Sequence, residues 1–246
     1  MIAQSHPCQR LFVDVPLASG ATVQLDRAQS NYVLNVLRLK AGAAILVFNG
    51  IDGEWLAHVG PDGRKSASLT CIDMTRSQPT RSDLDYLFAP LKHARLDYMV
   101  QKAVEMGAGR LVPVITRRTQ VSRINMERMR ANVVEAAEQC SILAVPEVLP
   151  EMKLEQALQG LSPNQLLVFC DEDAPVSDPV ALLRQHEGAP MAVLIGPEGG
   201  FAPEERKLLL AMPNTVRLSL GPRILRADTA AVAALALVQA ARGDLR

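Results

Sequence analysis

Leu194-Ile-Gly-Pro-Glu-Gly-Gly-Phe-Ala-Pro-Glu-Glu205 reads as an apolar strand that ends in a glycine-rich turn and opens into a helix. Gly196, Gly199 and Gly200 permit backbone angles closed to other residues and a close approach by a ligand, while Pro197 stiffens the turn. Pro203 with Glu204 and Glu205 suits a first helical turn: proline has no N–H to leave unbonded, and acids favour the positive helix end. A second connection of the same kind follows, Leu218-Ser-Leu-Gly-Pro-Arg-Ile-Leu-Arg-Ala-Asp-Thr-Ala-Ala231. It sets Arg223 and Arg226 three positions apart, ahead of Asp228, which is expected to cap the last helix. The arginines are either partners for an anionic ligand or surface ion pairs of little energetic weight. Neither turn has the G-x-G-x-x-G or G-x-x-x-x-G-K-S/T pattern, so dinucleotide and P-loop chemistry are disfavoured.

Outward from these turns, the second part of the chain alternates strand and helix. Apolar runs at Leu84–Ala89, Arg110–Ile115, Gln165–Cys170, Met191–Ile195 and Thr215–Leu220 predict strands. Helices are predicted over Ala94–Met106, Asn125–Cys140, Leu154–Gln159, Asp178–His186, Pro203–Met212 and Asp228–Ala241, with Gly107 closing the first. The rhythm implies an α/β domain with a largely parallel sheet covered on both faces, its ligand beyond the carboxyl ends of the strands. Residues 9–74 differ. Gln9–Val15, Ala44–Phe48, Glu54–Val59 and Ser66–Ile72 are short strand-like runs, separated by Gly50-Ile-Asp-Gly53 and Pro61-Asp-Gly63 turns. One helix is expected within Asp26–Leu39, capped by Asp26. A small β-barrel follows from that mixture. The polar stretch from Arg76 reads as a linker, giving domains at 1–75 and 84–246 joined by 76–83.

Of the 246 residues 48% are hydrophobic and only 4% aromatic, so aliphatic side chains must build an ordinary globular core. Cys8, Cys71, Cys140 and Cys170 form no C-x-x-C pair, and His6, His58, His93 and His186 lack ligand spacing. No metal site or disulfide framework is expected, and reduced thiols fit a cytosolic protein. Met1–Gly20 lacks the pattern of a signal peptide, and the longest apolar run, Ala230–Val238, is about half of the ~20 residues that cross a bilayer. A cytoplasmic protein without membrane partners is expected. Net charge is zero, yet Lys92–Arg130 holds nine basic residues against three acids. This stretch is either a phosphate-binding face or a set of solvated helix faces.

Taken together, the L-I-G-P-E-G-G and L-G-P-R-I-L-R loops resemble those of the SPOUT methyltransferases, and within them the 16S ribosomal RNA uracil-N3-methyltransferase family. Asn35-Val-Leu-Arg-Leu39, Val100-Gln-Lys-Ala-Val-Glu-Met-Gly107, Glu135-Ala-Ala-Glu-Gln-Cys140 and Val145-Pro-Glu-Val148 follow in the family's order and spacing. The resemblance implies a PUA-like N-terminal barrel, a trefoil-knotted α/β domain at the C-terminus, a homodimer, S-adenosylmethionine as cofactor and a uridine of 16S rRNA in the 30S subunit as substrate. Asn31 stands where a histidine is usual, Ser141-Ile142-Leu143 replaces a Gly-Arg pair, and Ala227-Asp228 replaces Thr-Glu.

Methylation at uracil N3 needs a proton acceptor and positive charge near the ring oxygens. Arg226, then Arg223, is expected to supply the charge. Asp228 or Glu198 either accepts the proton or holds an arginine, and bracing its own loop is an equal reading for Glu198. Cofactor contacts are expected from Phe169, Cys170 and Asp171; from Ile195, Gly196, Pro197, Gly199 and Gly200; and from Leu218, Ser219, Leu220, Gly221 and Leu225. Arg38, Lys92, Lys102, Arg117, Arg118 and Arg123 are the expected RNA contacts. Tyr32, Phe48 and Trp55 offer stacking faces, although core packing is the simpler reading for at least two of them. Rival readings are a methyltransferase of another RNA, or a catalytically silent RNA-binding assembly factor.

Overall fold

The computed structural model of the chain describes residues 9–61, 66–121, 123–175, 178–186 and 188–245. His6, Cys8 and two residues of the Pro61–Gly63 turn, Asp62 and Gly63, lie outside them. The chain divides into two compact units, Met1–Thr80 with Ala137–Val145, and Arg81–Ala136 with Pro146–Arg246. The expected linker 76–83 is shared between them, and Arg76 itself ends a strand.

In the first unit the strands are β1 (Arg10–Phe12), β2 (Thr22–Gln24), β3 (Ala44–Phe48), β4 (Glu54–Val59) and β5 (Ser68–Arg76), in sheet order β1-β3-β4-β5-β2. β1 pairs with β3 in parallel and the remaining pairs are antiparallel. All five strands give residues to one core (Leu11, Val23, Ile45, Trp55 and Leu69 among them), which requires the sheet to curl. Phe48 and Trp55 are buried, so they pack rather than stack on a ligand, and Tyr32 lies against the same core. β2, only three residues long, carried no signal in the sequence. Asp26 caps α1 (Arg27–Asn31) as expected, through a reciprocal capping box with Gln29. The helix is shorter than predicted, however, because Tyr32–Val36 continues as a π-helical turn and Arg38 then takes a left-handed φ of 56°.

The segment Ala137–Val145 groups with this unit through a buried ion pair. Arg10 bonds Glu54 at 2.8 Å, both side chains being 4% exposed. Its remaining N–H groups donate to the carbonyls of Ala137 (2.7 Å) and Glu138 (3.1 Å), which a helix end leaves without partners. The chain reverses at Ser141 with φ 58°, and the Ile142 amide donates to the Ala137 carbonyl.

The second unit contains β6 (Leu84–Phe88), α2 (His93–Glu105), β7 (Arg110–Ile115), α3 (Met126–Gln139), β8 (Glu147–Val148), β9 (Met152–Lys153), α4 (Leu154–Gln159), β10 (Leu166–Cys170), α5 (Pro179–Arg184), β11 (Met191–Ile195), α6 (Pro203–Ala211), β12 (Thr215–Leu218) and α7 (Ala227–Arg242). The last turn of α3 belongs to the first unit. The sheet runs β12-β10-β11-β6-β7-β8, with β9 also on β7, and every pair is parallel. β6 and β11 are buried along their whole length, as strands covered on both faces must be. Leu87, Leu167, Phe169 and Leu194 meet Leu154 of α4 and Leu209 of α6 on one face. α7 packs on β11 and against α2 and α5, and none of these three helices contributes to that cluster.

At the amino ends of the strands, buried Asp85 accepts from Arg110 (2.6 Å) and Gln165 (2.7 Å). Gly107 has the expected left-handed φ of 77°. Asp228 departs from expectation: α7 begins at Ala227 with Arg226 at the cap position, so Asp228 stands inside the first turn. Its carboxylate is engaged elsewhere. Among the described residues no helix is long and apolar enough to cross a membrane.

Candidate functional site

The carboxyl ends of β10 and β11 and the approach to α7 enclose a cavity of about 690 Å³ in the second unit. That volume lies in the range of small-molecule sites. Phe169, Cys170 and Asp171 line it from β10; Ile195, Gly196, Pro197 and Gly200 from the turn after β11; and Leu225 from the segment before α7. Three separate stretches of sequence thus converge on one space.

Local chemistry explains the glycine turn. A Cβ at Gly196 would lie 2.6 Å from the Phe201 ring, so no side chain fits there. Phe201 in turn packs edge-on against Phe169, with centroids 5.4 Å apart, forming an apolar wall. Gly200 takes a φ of 70° and closes the turn by donating to the Pro197 carbonyl at 2.8 Å. Gly199 does not line the cavity; its carbonyl accepts from Arg118 at 2.7 Å. Buried Glu205 accepts from the amides of Ala202 (2.9 Å) and Arg117 (2.8 Å), fastening α6 to the loop after β7.

Leu218, Ser219, Leu220 and Gly221 do not line the cavity either. Leu218 pairs with Cys170 in the sheet and its carbonyl accepts the Asp171 amide, so this segment backs the wall instead of forming it. Ile224, Ala227 and Ala230 stand where it was expected, and Ile224 is fully exposed.

Two acids at the site are structurally committed. Asp171, its side chain 2% exposed, accepts from Arg217 (2.7 Å) and Arg206 (2.9 Å). Burial alone would push its carboxyl up, but the two guanidiniums hold it below the usual carboxylate range. Asp171 therefore ties β10 to β12 and α6. Asp228 accepts from Arg95 of α2 at 3.0 and 3.4 Å, and the same guanidinium bonds Glu198. The Arg95 hydrogen bond keeps the Asp228 carboxyl below its ordinary value, outweighing the effect of burial. Arg95 was missed by the sequence reading, as were Arg206 and Arg217, because each partner lies far along the chain. Burial pushes the Cys170 thiol up to about 12, so it stays neutral at physiological pH and is no nucleophile.

Arg223 and Arg226 are exposed and their side chains make no ion pair or hydrogen bond with a described residue, while flanking the cavity-lining Ile224 and Leu225. The basic stretch is less uniform than its composition. Arg95, Lys102, Arg110, Arg117 and Arg128 are all ion-paired, Lys102 with Glu105 and Arg117 with Glu204. Lys92 and Arg123 are exposed and line a second cavity. Arg38, in the first unit, is exposed as well.

A parallel α/β domain with a glycine-turn cavity at its strand tips, preceded by a small curled sheet, is the architecture of a two-domain RNA-modifying enzyme. The RNA methyltransferase domain family matches residues 78–239, the RNA methyltransferase PUA domain matches residues 25–70, and the chain belongs to this methyltransferase family. Ribosomal RNA small subunit methyltransferase E of Rickettsia conorii is 31% identical over 94% of each chain, and that of Bacillus subtilis 25% identical over 96% of this chain and 99% of its own. The Neisseria gonorrhoeae ribosomal RNA small subunit methyltransferase E, solved with S-adenosyl methionine bound, superposes with a TM-score of 0.86 at 27% identity, covering 97% of this chain and 99% of that one. A Legionella pneumophila protein in complex with the same cofactor superposes with a TM-score of 0.81 at 28% identity, covering 95% and 97%.

Proposed function

We propose that this protein transfers a methyl group from S-adenosylmethionine to N3 of one uridine in 16S rRNA, acting on the small subunit in the cytoplasm as a homodimer whose second unit is threaded as a trefoil knot. The carrying observation is the cavity at the strand tips: an apolar wall, glycine turns that expose backbone, and unpaired guanidiniums beside it. Its 690 Å³ and its Phe169, Ile195 and Leu225 surfaces suit an adenosine-bearing cofactor, and the Cys170 and Ile195–Gly200 backbones offer donors and acceptors for its polar edges. When bound, S-adenosylmethionine supplies a methyl carbon already activated by its sulfonium.

The chain's own residues supply the rest. Arg226, with Arg223 second, faces the developing negative charge on the uracil ring oxygens and lowers the cost of losing the N3 proton. Neither guanidinium is neutralised by a described residue, which leaves both available to the substrate. Asp228 holds Arg95 in place, and its lowered pKa makes it a poor proton acceptor. Glu198, half-exposed, lining the cavity and bonded to the same arginine, takes the proton on this reading. Arg38, Lys92, Arg118 and Arg123 hold RNA phosphates, and Lys102 and Arg117 join them when their Glu105 and Glu204 pairs open.

Purified protein incubated with methyl-labelled S-adenosylmethionine and a mixture of unmethylated small subunits and unmodified tRNA tests this reading. Label should enter 16S rRNA and not tRNA. Label in tRNA alone would make it a methyltransferase of another RNA, and no label anywhere, with no cofactor binding by calorimetry, would make it a silent assembly factor.

A further inference from the structure

Beside the cavity at the strand tips lies a second one of about 420 Å³, between α2, α3 and the loop that precedes α3. Its floor is apolar, formed by Leu91, Leu96, Val100, Val121, Ile124 and Met129. Its polar groups are of two kinds. Lys92 and Arg123 stand exposed at the rim, neither paired with a described residue. Asn132, Asn125 and Gln120 bring amide groups, and Asp97 is held by Arg128 (2.6 Å) and by the Asn132 amide (2.7 Å), so its charge is compensated.

A smaller cleft of about 230 Å³ joins the two. It shares Arg118, Pro197 and Glu198 with the strand-tip cavity, and Leu91, Lys92, Gln120 and Val121 with the second one. A strand leaving the methylation site along this cleft passes Arg118 and Lys92 before it reaches the second cavity.

We propose that this second cavity is a nucleotide subsite, which takes the base next to the methylated uridine in the RNA strand. The apolar floor receives the flat face of the heterocycle, the amides meet its hydrogen-bonding edge, and Lys92 and Arg123 hold the phosphates on either side. Such a subsite adds sequence preference to a footprint otherwise built on phosphates. It rests on the reading of the protein as an RNA methyltransferase.

The test uses the whole protein and purified small subunits lacking the modification. Gln120→Leu removes an exposed amide with no described partner, and Asn132→Leu removes the amide that also bonds Asp97, both at nearly constant size. Each should raise KM for the small subunit about tenfold, the scale of losing one stacked and held base, with kcat and S-adenosylmethionine affinity unchanged. A parallel titration uses uridine monophosphate and the uridine-containing dinucleotides as competitors. At least one dinucleotide should compete about tenfold better than the mononucleotide, and that gain should vanish in both variants. Wild-type methylation with unaltered KM in both variants, or dinucleotides no better than the mononucleotide, overturns the subsite and leaves the methyltransferase reading standing. Loss of methylation in the wild type itself overturns both.

Discussion

Arg226 carries its charge into solvent at the foot of α7, while Arg95, a few residues into α2, spends its charge on Asp228 and Glu198. On the proposed reading, the contrast divides a charge-stabilising guanidinium from a positioning one. Arg226→Ala should slow single-turnover methylation of small subunits by about 10²–10³-fold, the usual scale for losing one charge-stabilising donor, with cofactor affinity intact. If Asp228 positions Arg95, as proposed, Asp228→Asn should lower the rate while leaving the shape of the pH–rate profile unchanged. A shifted acid limb would make Asp228 the base. Ser141 offers a stability counterpart. It holds a φ of 58°, where the family resemblance expects glycine, so Ser141→Gly should raise stability by about 1 kcal/mol in urea unfolding. Arg95 was hidden from the sequence for a plain reason: its partners stand 103 and 133 positions away, and no local pattern encodes such a meeting.

The elements were more legible than the contacts between them. β3, β4, β7, β11 and α4 begin and end where periodicity placed them, and glycine or proline directly bounds β4 and β11 on both sides. β2, β8 and β9 were invisible, since two or three residues show no alternation. α7 began one residue early because Asp228, a good cap by composition, is more strongly drawn to Arg95. Strand ends also hold the protein's acid sensitivity. Asp171 fastens β10 to Arg206 and Arg217, and Glu54 on β4 is held by Arg10 and Arg76. For both carboxyls burial pushes the pKa up, and hydrogen bonds from the arginines more than reverse it. A carboxyl depressed on folding contributes stability above its unfolded value of about 4 and loses it as pH falls through the folded value. Urea midpoints should hold steady from neutral pH down to about 5 and fall steeply below about 4. Midpoints unchanged at pH 3 would contradict this account of the two ion-pair clusters.

At the scale of the whole molecule, the division into a curled sheet and a parallel α/β unit could be read from the change in texture near residue 80. The transfer of 137–145 to the first unit could not, because it depends on Arg10 finding the end of α3. Zero net charge likewise conceals which cations are available. Five of the nine basic residues in Lys92–Arg130 are already paired, so RNA binding should depend on salt less steeply than composition suggests. Replacing Lys92 or Arg118 by alanine should reduce the slope of log affinity against log salt by about 0.7 each, the share of one single-strand phosphate. An unchanged slope would remove those residues from the RNA footprint. Nucleoside mass spectrometry of 16S rRNA from cells with and without this protein reads N3 methylation of a small-subunit uridine itself. N3-methyluridine should disappear when the protein is absent and return with the wild-type chain but not with Arg226→Ala; N3-methyluridine persisting at full level without the protein would rule the proposed activity out.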